Sequence, residues 1–187
     1  MARYRSAPAG EKLRESLDRL PGIGQQAAQR ISDWCLYRNG GDDLLNALSA
    51  ALSEPLCSSC RLRFDPRLGA SCPLCAEFSR QQQPILVVQN TKTAHLALES
   101  GYSGGMFVLH GVLSPSNNVG PTQLYLDTLF ERAQLLVPRT LYVALESSVE
   151  AQVTLEFIAR RLPAHQIIAW DVDQLPHLIR ERMHETG

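Results

Sequence analysis

No apolar run in this 187-residue chain approaches the roughly 20 residues that a membrane-spanning helix needs. An apolar signal core is missing too, because the opening Met1-Ala-Arg-Tyr-Arg-Ser6 leads into a charged stretch. These two absences predict a cytoplasmic protein with no membrane partner. Strong charge of either sign is also lacking, since 18 Lys/Arg stand against 19 Asp/Glu for a net −1. Near-neutrality neither demands nor forbids a nucleic-acid partner, which is met by a basic patch rather than a basic average. Residues 1–80 are slightly basic, eleven Lys/Arg against nine Asp/Glu, and residues 81–187 slightly acidic, seven against ten. Internal repeats and low-complexity tracts are absent apart from Gln81-Gln82-Gln83. With 44% hydrophobic and 20% charged residues, the chain reads as one good core plus a smaller satellite.

Cysteines are few but concentrated. Four of the five fall into two Cys-x-x-Cys knuckles, Cys57-Ser-Ser-Cys60 and Cys72-Pro-Leu-Cys75, within one short polar segment. Disulfides rarely persist in a reducing cytosol, so this spacing predicts one structural Zn2+ per chain held by Cys57, Cys60, Cys72 and Cys75. A closed four-thiolate site leaves no position for a substrate. A thioredoxin-like redox role would require a knuckle at the start of a helix after a strand, and both knuckles lie in a loop. The fifth cysteine, Cys35, is read as a small buried hydrophobe on an apolar helix face beside Trp34. Arg61, Arg63 and Arg67, between the knuckles, either approach DNA or form a solvated basic rim, and the rim is the preferred reading.

Ahead of the knuckles the spacing is helical: Leu13, Leu17 and Leu20 precede the break at Pro21-Gly22. A second helix begins near Gln25 and runs through Ala28, Ile31 and Cys35 to Asn39-Gly40-Gly41. The third has Leu44, Leu45, Leu48 and Leu52 as its apolar stripe. Behind the glutamines the pattern changes to short apolar runs, Ile85-Leu-Val-Val88, Met106-Phe-Val-Leu109, Leu141-Tyr-Val-Ala-Leu145 and Ile167-Ile-Ala-Trp170. Helix-length stretches at 93–100, 122–136 and 149–162 separate these runs, and a short helix is expected at 176–184. Strands alternating with helices predict a mainly parallel sheet covered on both faces, within a multidomain α/β protein. The expected boundaries are 1–54, 55–80 and 84–187.

Leu20-Pro21-Gly22-Ile23-Gly24 between two helices has the form of a helix-hairpin-helix turn. Its glycines allow backbone N–H groups at the start of the next helix to meet a phosphate without reading a base. Gly22, Gly24, Gln26 and Arg30 are the candidate DNA-binding residues.

In order along the chain stand this hairpin with Ala28-Gln29-Arg30, the four-cysteine finger, and an α/β region with Leu109-His-Gly-Val-Leu-Ser-Pro115 and Val119-Gly-Pro121. Further matches are Leu124-Tyr-Leu-Asp-Thr-Leu129 and Ser148-Val-Glu-Ala-Gln-Val-Thr154. Together they resemble the bacterial RecR family of recombination mediators over nearly the whole chain to about Trp170. The resemblance implies a helix-hairpin-helix region, a four-cysteine zinc finger and a Toprim-like domain with a short C-terminal helix. It implies a homo-oligomer, dimer or ring-like tetramer, that clamps single-stranded, gapped or double-stranded DNA. It also implies RecO-like and RecF-like partners, action in RecA loading, and no enzymatic step.

The departures are specific. In the family the hairpin usually continues Gly-Pro-Lys-Ser-Ala-Gln-Arg, and that lysine contacts DNA; here Arg30 matches and Gln26 stands in its place. The first Toprim strand normally ends in glutamate, here Gln89, and the Val-Glu-Gly-Glu expected after the third strand reads Val149-Glu150-Ala151-Gln152. Gln89, Glu150 and Gln152 are the positions where the resemblance implies partner contact. These losses leave a second reading open, a DNA-silent adaptor that forms hetero-oligomers with another RecR. Asp171-Val172-Asp173 imitates the magnesium-binding pair of a catalytic Toprim domain but follows the fourth run instead of the third, so it is read as two surface carboxylates. His95, His110, His177 and His184 receive no catalytic role.

Overall fold

The computed structural model describes residues 8–38, 40–69, 72–77, 84–136 and 140–185, with side chains to 182 in the last stretch. The glutamine tract, Asn39 and the side chain of His184 lie outside the described residues. The chain divides into two compact units, Met1–Glu54 and Pro55–Gly187.

The first unit contains α1 (Pro8–Asp18), α2 (Gln25–Tyr37) and α3 (Gly40–Ser53). Helix α1 packs on α2, and α2 on α3. Among its described residues only Ala28, Ser32 and Gly40 are buried, all small. The expected α3 stripe forms, but it stays largely at the surface: Leu44, Leu45, Leu48 and Leu52 are between 45% and 62% exposed. Cys35 corrects its expectation, being only half-buried. Trp34 lies on the side of α2 away from Ala28 and Ser32, with part of its ring against Gly40 of α3 and the rest exposed.

The second unit begins with the finger, which contains a 3-10 turn (Pro66–Leu68) and the one-turn helix α4 (Pro73–Ala76). Then follow β1 (Ile85–Val88), α5 (Thr91–Glu99), β2 (Gly105–Val108), α6 (Leu126–Gln134), β3 (Thr140–Ala144), α7 (Val149–Arg161), β4 (Gln166–Ala169) and α8 (Leu175–Glu185). The four strands are parallel in the order β2-β1-β3-β4. Because side chains alternate along a strand, Ile85, Val87, Phe107, Leu141 and Val143 face one way, onto α6 and α7 through Leu129, Phe130, Ala133 and Ile158. Leu86, Val88, Met106, Val108, Tyr142 and Ala144 face the other way, onto α5 and α8 through Ala94, Ala97, Leu175 and Ile179. Burial on both faces explains why the strands read as continuous apolar runs.

Local chemistry sets the ends. Asn90 Oδ1 accepts the N–H of Thr93 at 2.9 Å, so α5 starts two residues ahead of the sequence-based expectation. Ser148 Oγ caps α7 through the N–H of Ala151 at 3.0 Å. Helix α6 starts at Leu126 and not at 122, because Pro121 opens a turn and Tyr125 takes a left-handed φ of 53°. Buried Thr154 in α7 accepts the N–H of Leu113 at 2.8 Å, anchoring the loop after β2.

Candidate functional site

The two knuckles converge. The sulfurs of Cys57, Cys60, Cys72 and Cys75 all lie within 4.8 Å of one another, and no disulfide joins them. Cys60 Sγ and Cys72 Sγ are 3.7 Å apart. A tetrahedral zinc with Zn–S bonds of about 2.3 Å sets its sulfurs about 3.8 Å apart, so the thiols fit such an ion. Cys57 Sγ also accepts the N–H groups of Ser59 and Cys60 at 3.4 and 3.5 Å.

Without a cation two of the four thiols, Cys60 and Cys72, resist ionisation. The hydrogen bond with Cys75, then burial, holds the Cys60 thiol well above the ordinary range. Burial pushes Cys72 up to about 11. A bound divalent ion reverses this balance, since its charge compensates the thiolates it binds. When bound, it would crosslink the two knuckles and supply no reactive position.

The finger is fastened to the sheet. The N–H of Val108 at the end of β2 donates to the carbonyl of Cys60 at 2.9 Å. Arg132 on α6 uses one nitrogen to reach the carbonyls of Ser59 and Met106, at 2.8 and 2.7 Å. Arg61 corrects the solvated-rim expectation: half-buried, it donates to Thr128 Oγ1 at 2.6 Å and lies 4.4 Å from the centre of the Tyr125 ring. Its carbonyl meets His110 Nε2 at 2.6 Å. Arg61, His110 and Tyr125 all adopt left-handed backbone, at φ 64°, 58° and 53°. Such conformations cost non-glycine residues free energy, and here they converge on one junction. Arg67, by contrast, stays at the surface and binds Asp65 through its guanidinium, holding that carboxyl below the usual range.

In the hairpin, Ile23 N–H donates to the carbonyl of Leu20 at 3.0 Å, and Gly22 takes a φ of 77° that favours glycine. Gly24 differs, for its φ of −93° and ψ of 172° suit any residue, and a Cβ built there meets nothing within 4 Å. Neither conformation nor internal packing accounts for this glycine. What its missing side chain leaves is open approach to the first turn of α2, where no side-chain cap bond is formed. Gln26 and Arg30 are both exposed on α2. Arg19, exposed just ahead of the turn, is a cation that motif matching passed over.

A third feature lies where the strands end. Gln89 Oε1 accepts the N–H of Glu146 at 3.0 Å, and Asn90 Nδ2 donates to Glu146 Oε1 at 2.9 Å. Beside them a cleft of about 280 Å³ is lined by Glu146, Ser148, Gln152, Trp170 and Asp171 among others. Gln152 Nε2 donates to Glu156 at 3.2 Å, while Glu150 is exposed and does not line the cleft. Sequence reasoning missed Glu146 and Asn90. The signal was register: Val88 pairs with Ala144, so residues just past β1 and just past β3 must be neighbours. Asp171 Oδ1 accepts the N–H of Asp173 at 3.0 Å, a local turn ahead of α8. His177 Nδ1 lies 3.3 Å from Glu181, a partner one helical turn away that the sequence reading did not name.

Among the described residues no helix is long and apolar enough to cross a membrane. No family model matches the chain. Over 167 residues it is 35% identical to the recombination protein RecR of Shewanella denitrificans, an alignment spanning 87% of this chain and 82% of that protein. Identity at that level over most of both sequences means that this chain belongs to the RecR family.

Proposed function

We propose that this chain is a non-enzymatic mediator of recombinational DNA repair, a RecR-type clamp that acts with RecO-like and RecF-like proteins to help load RecA on single-stranded or gapped DNA. The observation that carries the DNA contact is Gly24, a glycine that the fold does not require and that leaves the start of α2 open to a phosphate. In this reading residues 20–24 act as a helix-hairpin-helix, with Gly22, Gly24, Gln26 and Arg30 along the backbone of the DNA and Arg19 beside them. Gln26 can donate a hydrogen bond but adds no charge, so each subunit contributes a weak contact. Weak contacts repeated in a homo-oligomer add through effective concentration.

The exposed leucines of α3 support self-association. A unit in which Ala28, Ser32 and Gly40 are the buried ones among the described residues gains little from its own packing, and covering the leucine stripe with a second copy supplies the missing burial. The four thiols hold a structural zinc that keeps the finger folded on the sheet. The sheet and its helices act as a Toprim-like partner domain, with the acidic cleft around Glu146, Gln152 and Asp171, and Gln89 behind it, facing a basic RecO-like protein.

The direct test is reconstitution. On gapped DNA coated with single-strand-binding protein, the chain together with a RecO-like protein should shorten the delay before RecA assembles. No effect, together with co-purification of a second RecR, would select the DNA-silent adaptor.

A further inference from the structure

Resting on the DNA-binding reading of the hairpin, we propose that the exposed face of α2 is a stacking surface for single-stranded DNA, with Trp34 and Tyr37 as the stacking rings. Helix α2 packs through Ala28 and Ser32, and at 100° per residue the opposite side carries Gln26, Arg30, Trp34 and Tyr37, with Arg38 at its margin. Trp34 and Tyr37 are 46% and 73% exposed, an unusual state for large aromatic rings. The only acid of α2, Asp33, is bonded by Gln29 Nε2 at 2.9 Å. A face with two rings and two guanidinium groups suits a ligand with π-surfaces and negative charge.

The geometry favours single strands over duplex. An open depression of about 390 Å³ is lined by Ala27, Arg30, Ile31 and Trp34, so a base has room beside the ring. Trp34 is held in place, because a Cβ built on Gly40 would come within 2.3 Å of its ring atoms. One part of the indole therefore rests on the α3 backbone and the remainder is presented outward. The face starts at the end of α2 where the hairpin would hold a phosphate. From Gln26 to Trp34 the helix rises about 12 Å, a span of roughly two nucleotides of extended strand. A duplex keeps its bases stacked on each other and offers Trp34 only its backbone.

The chain has two tryptophans, and Trp170 is buried against Tyr142, so the quenchable part of the emission reports Trp34 above a constant Trp170 background. Full-length zinc-loaded protein is titrated with oligothymidylate and with duplex of equal length at low salt. Single strand should quench the emission, and Trp34→Leu should weaken its binding roughly tenfold while moving duplex binding less than about twofold. Trp34→Phe, which keeps a ring over Gly40, should keep single-strand affinity and lose the quench. Binding of both DNAs without quenching, or an equal loss for both in Trp34→Leu, overturns the stacking surface and leaves the hairpin reading standing. Emission that neither DNA nor a small neutral quencher reaches means that a second copy covers this face, which also overturns it. Absence of any DNA binding by the wild-type chain removes both readings together.

Discussion

The side-chain carbonyl of Gln89 accepts the backbone N–H of Glu146 at 3.0 Å, tying the residue after β1 to the loop after β3. The family resemblance puts a glutamate at position 89. Here the acid stands across the gap at Glu146, and an amide faces it. The pair therefore carries one negative charge where Gln89→Glu would place two.

Gln89→Ala removes the acceptor and should cost about 1 kcal/mol, the usual worth of one such bond. Gln89→Glu keeps an acceptor but sets two carboxylates together. Its urea midpoint should fall below wild type at low salt and recover part of the loss at high salt, where like-charge repulsion is screened. A penalty that is equal at both salt concentrations would show that charge repulsion plays no part.

Arg61→Ala loses the Thr128 bond and the Tyr125 stack, and should destabilise the second unit by about 2 kcal/mol. Arg61→Gly loses the same contacts but relieves the left-handed backbone, so it should be the more stable variant by about 1 kcal/mol. Chemical denaturation compares the two, and metal content should stay at one zinc per chain in both. The reverse ranking would mean that the φ of 64° at Arg61 stores no strain.

Zinc should be found at one per chain by elemental analysis, and Cys60→Ser should lose it and lower the unfolding midpoint. In metal-free protein, burial raises Cys72 from 9.0 to about 11. A raised thiol pKa means that the fold favours the neutral form. That contribution is fully present below pH 9.0 and lost as pH rises to about 11. Chelated protein should therefore weaken across this window, while zinc-loaded protein, already thiolate, should not.

Leu45→Glu with Leu52→Glu should shift the solution mass to that of one chain, measured by sedimentation. Burying these two leucines against a second copy is worth several kcal/mol, and buried charge reverses that gain. An unchanged mass would place the self-association elsewhere.

Some of this was legible in the sequence and some was not, for physical reasons. Ile85–Val88 stood out because a strand buried on both faces has no polar alternation to hide it. The four thiols were legible because metal-ligand spacing is local. Arg61 was not, since its role depends on Thr128, 67 residues away. Glu146 was overlooked for the same reason: its neighbour Gln89 is 57 residues distant and only strand register brings them together. The α3 leucines had the periodicity of a packed helix, and periodicity does not say whether the covering surface belongs to the same chain.

In the proposed function the open turn at Gly24 binds the DNA backbone. Fluorescence anisotropy of gapped DNA with the full zinc-loaded protein, at about 50 and 200 mM salt, tests it with wild type and Gly24→Glu. Wild type should bind at low salt and weaken steeply at high salt, as phosphate contacts require. Gly24→Glu, which places a carboxylate where the phosphate would sit, should lose most of that affinity with its fold intact. Equal binding by the two proteins, or none by wild type at low salt, would contradict the account.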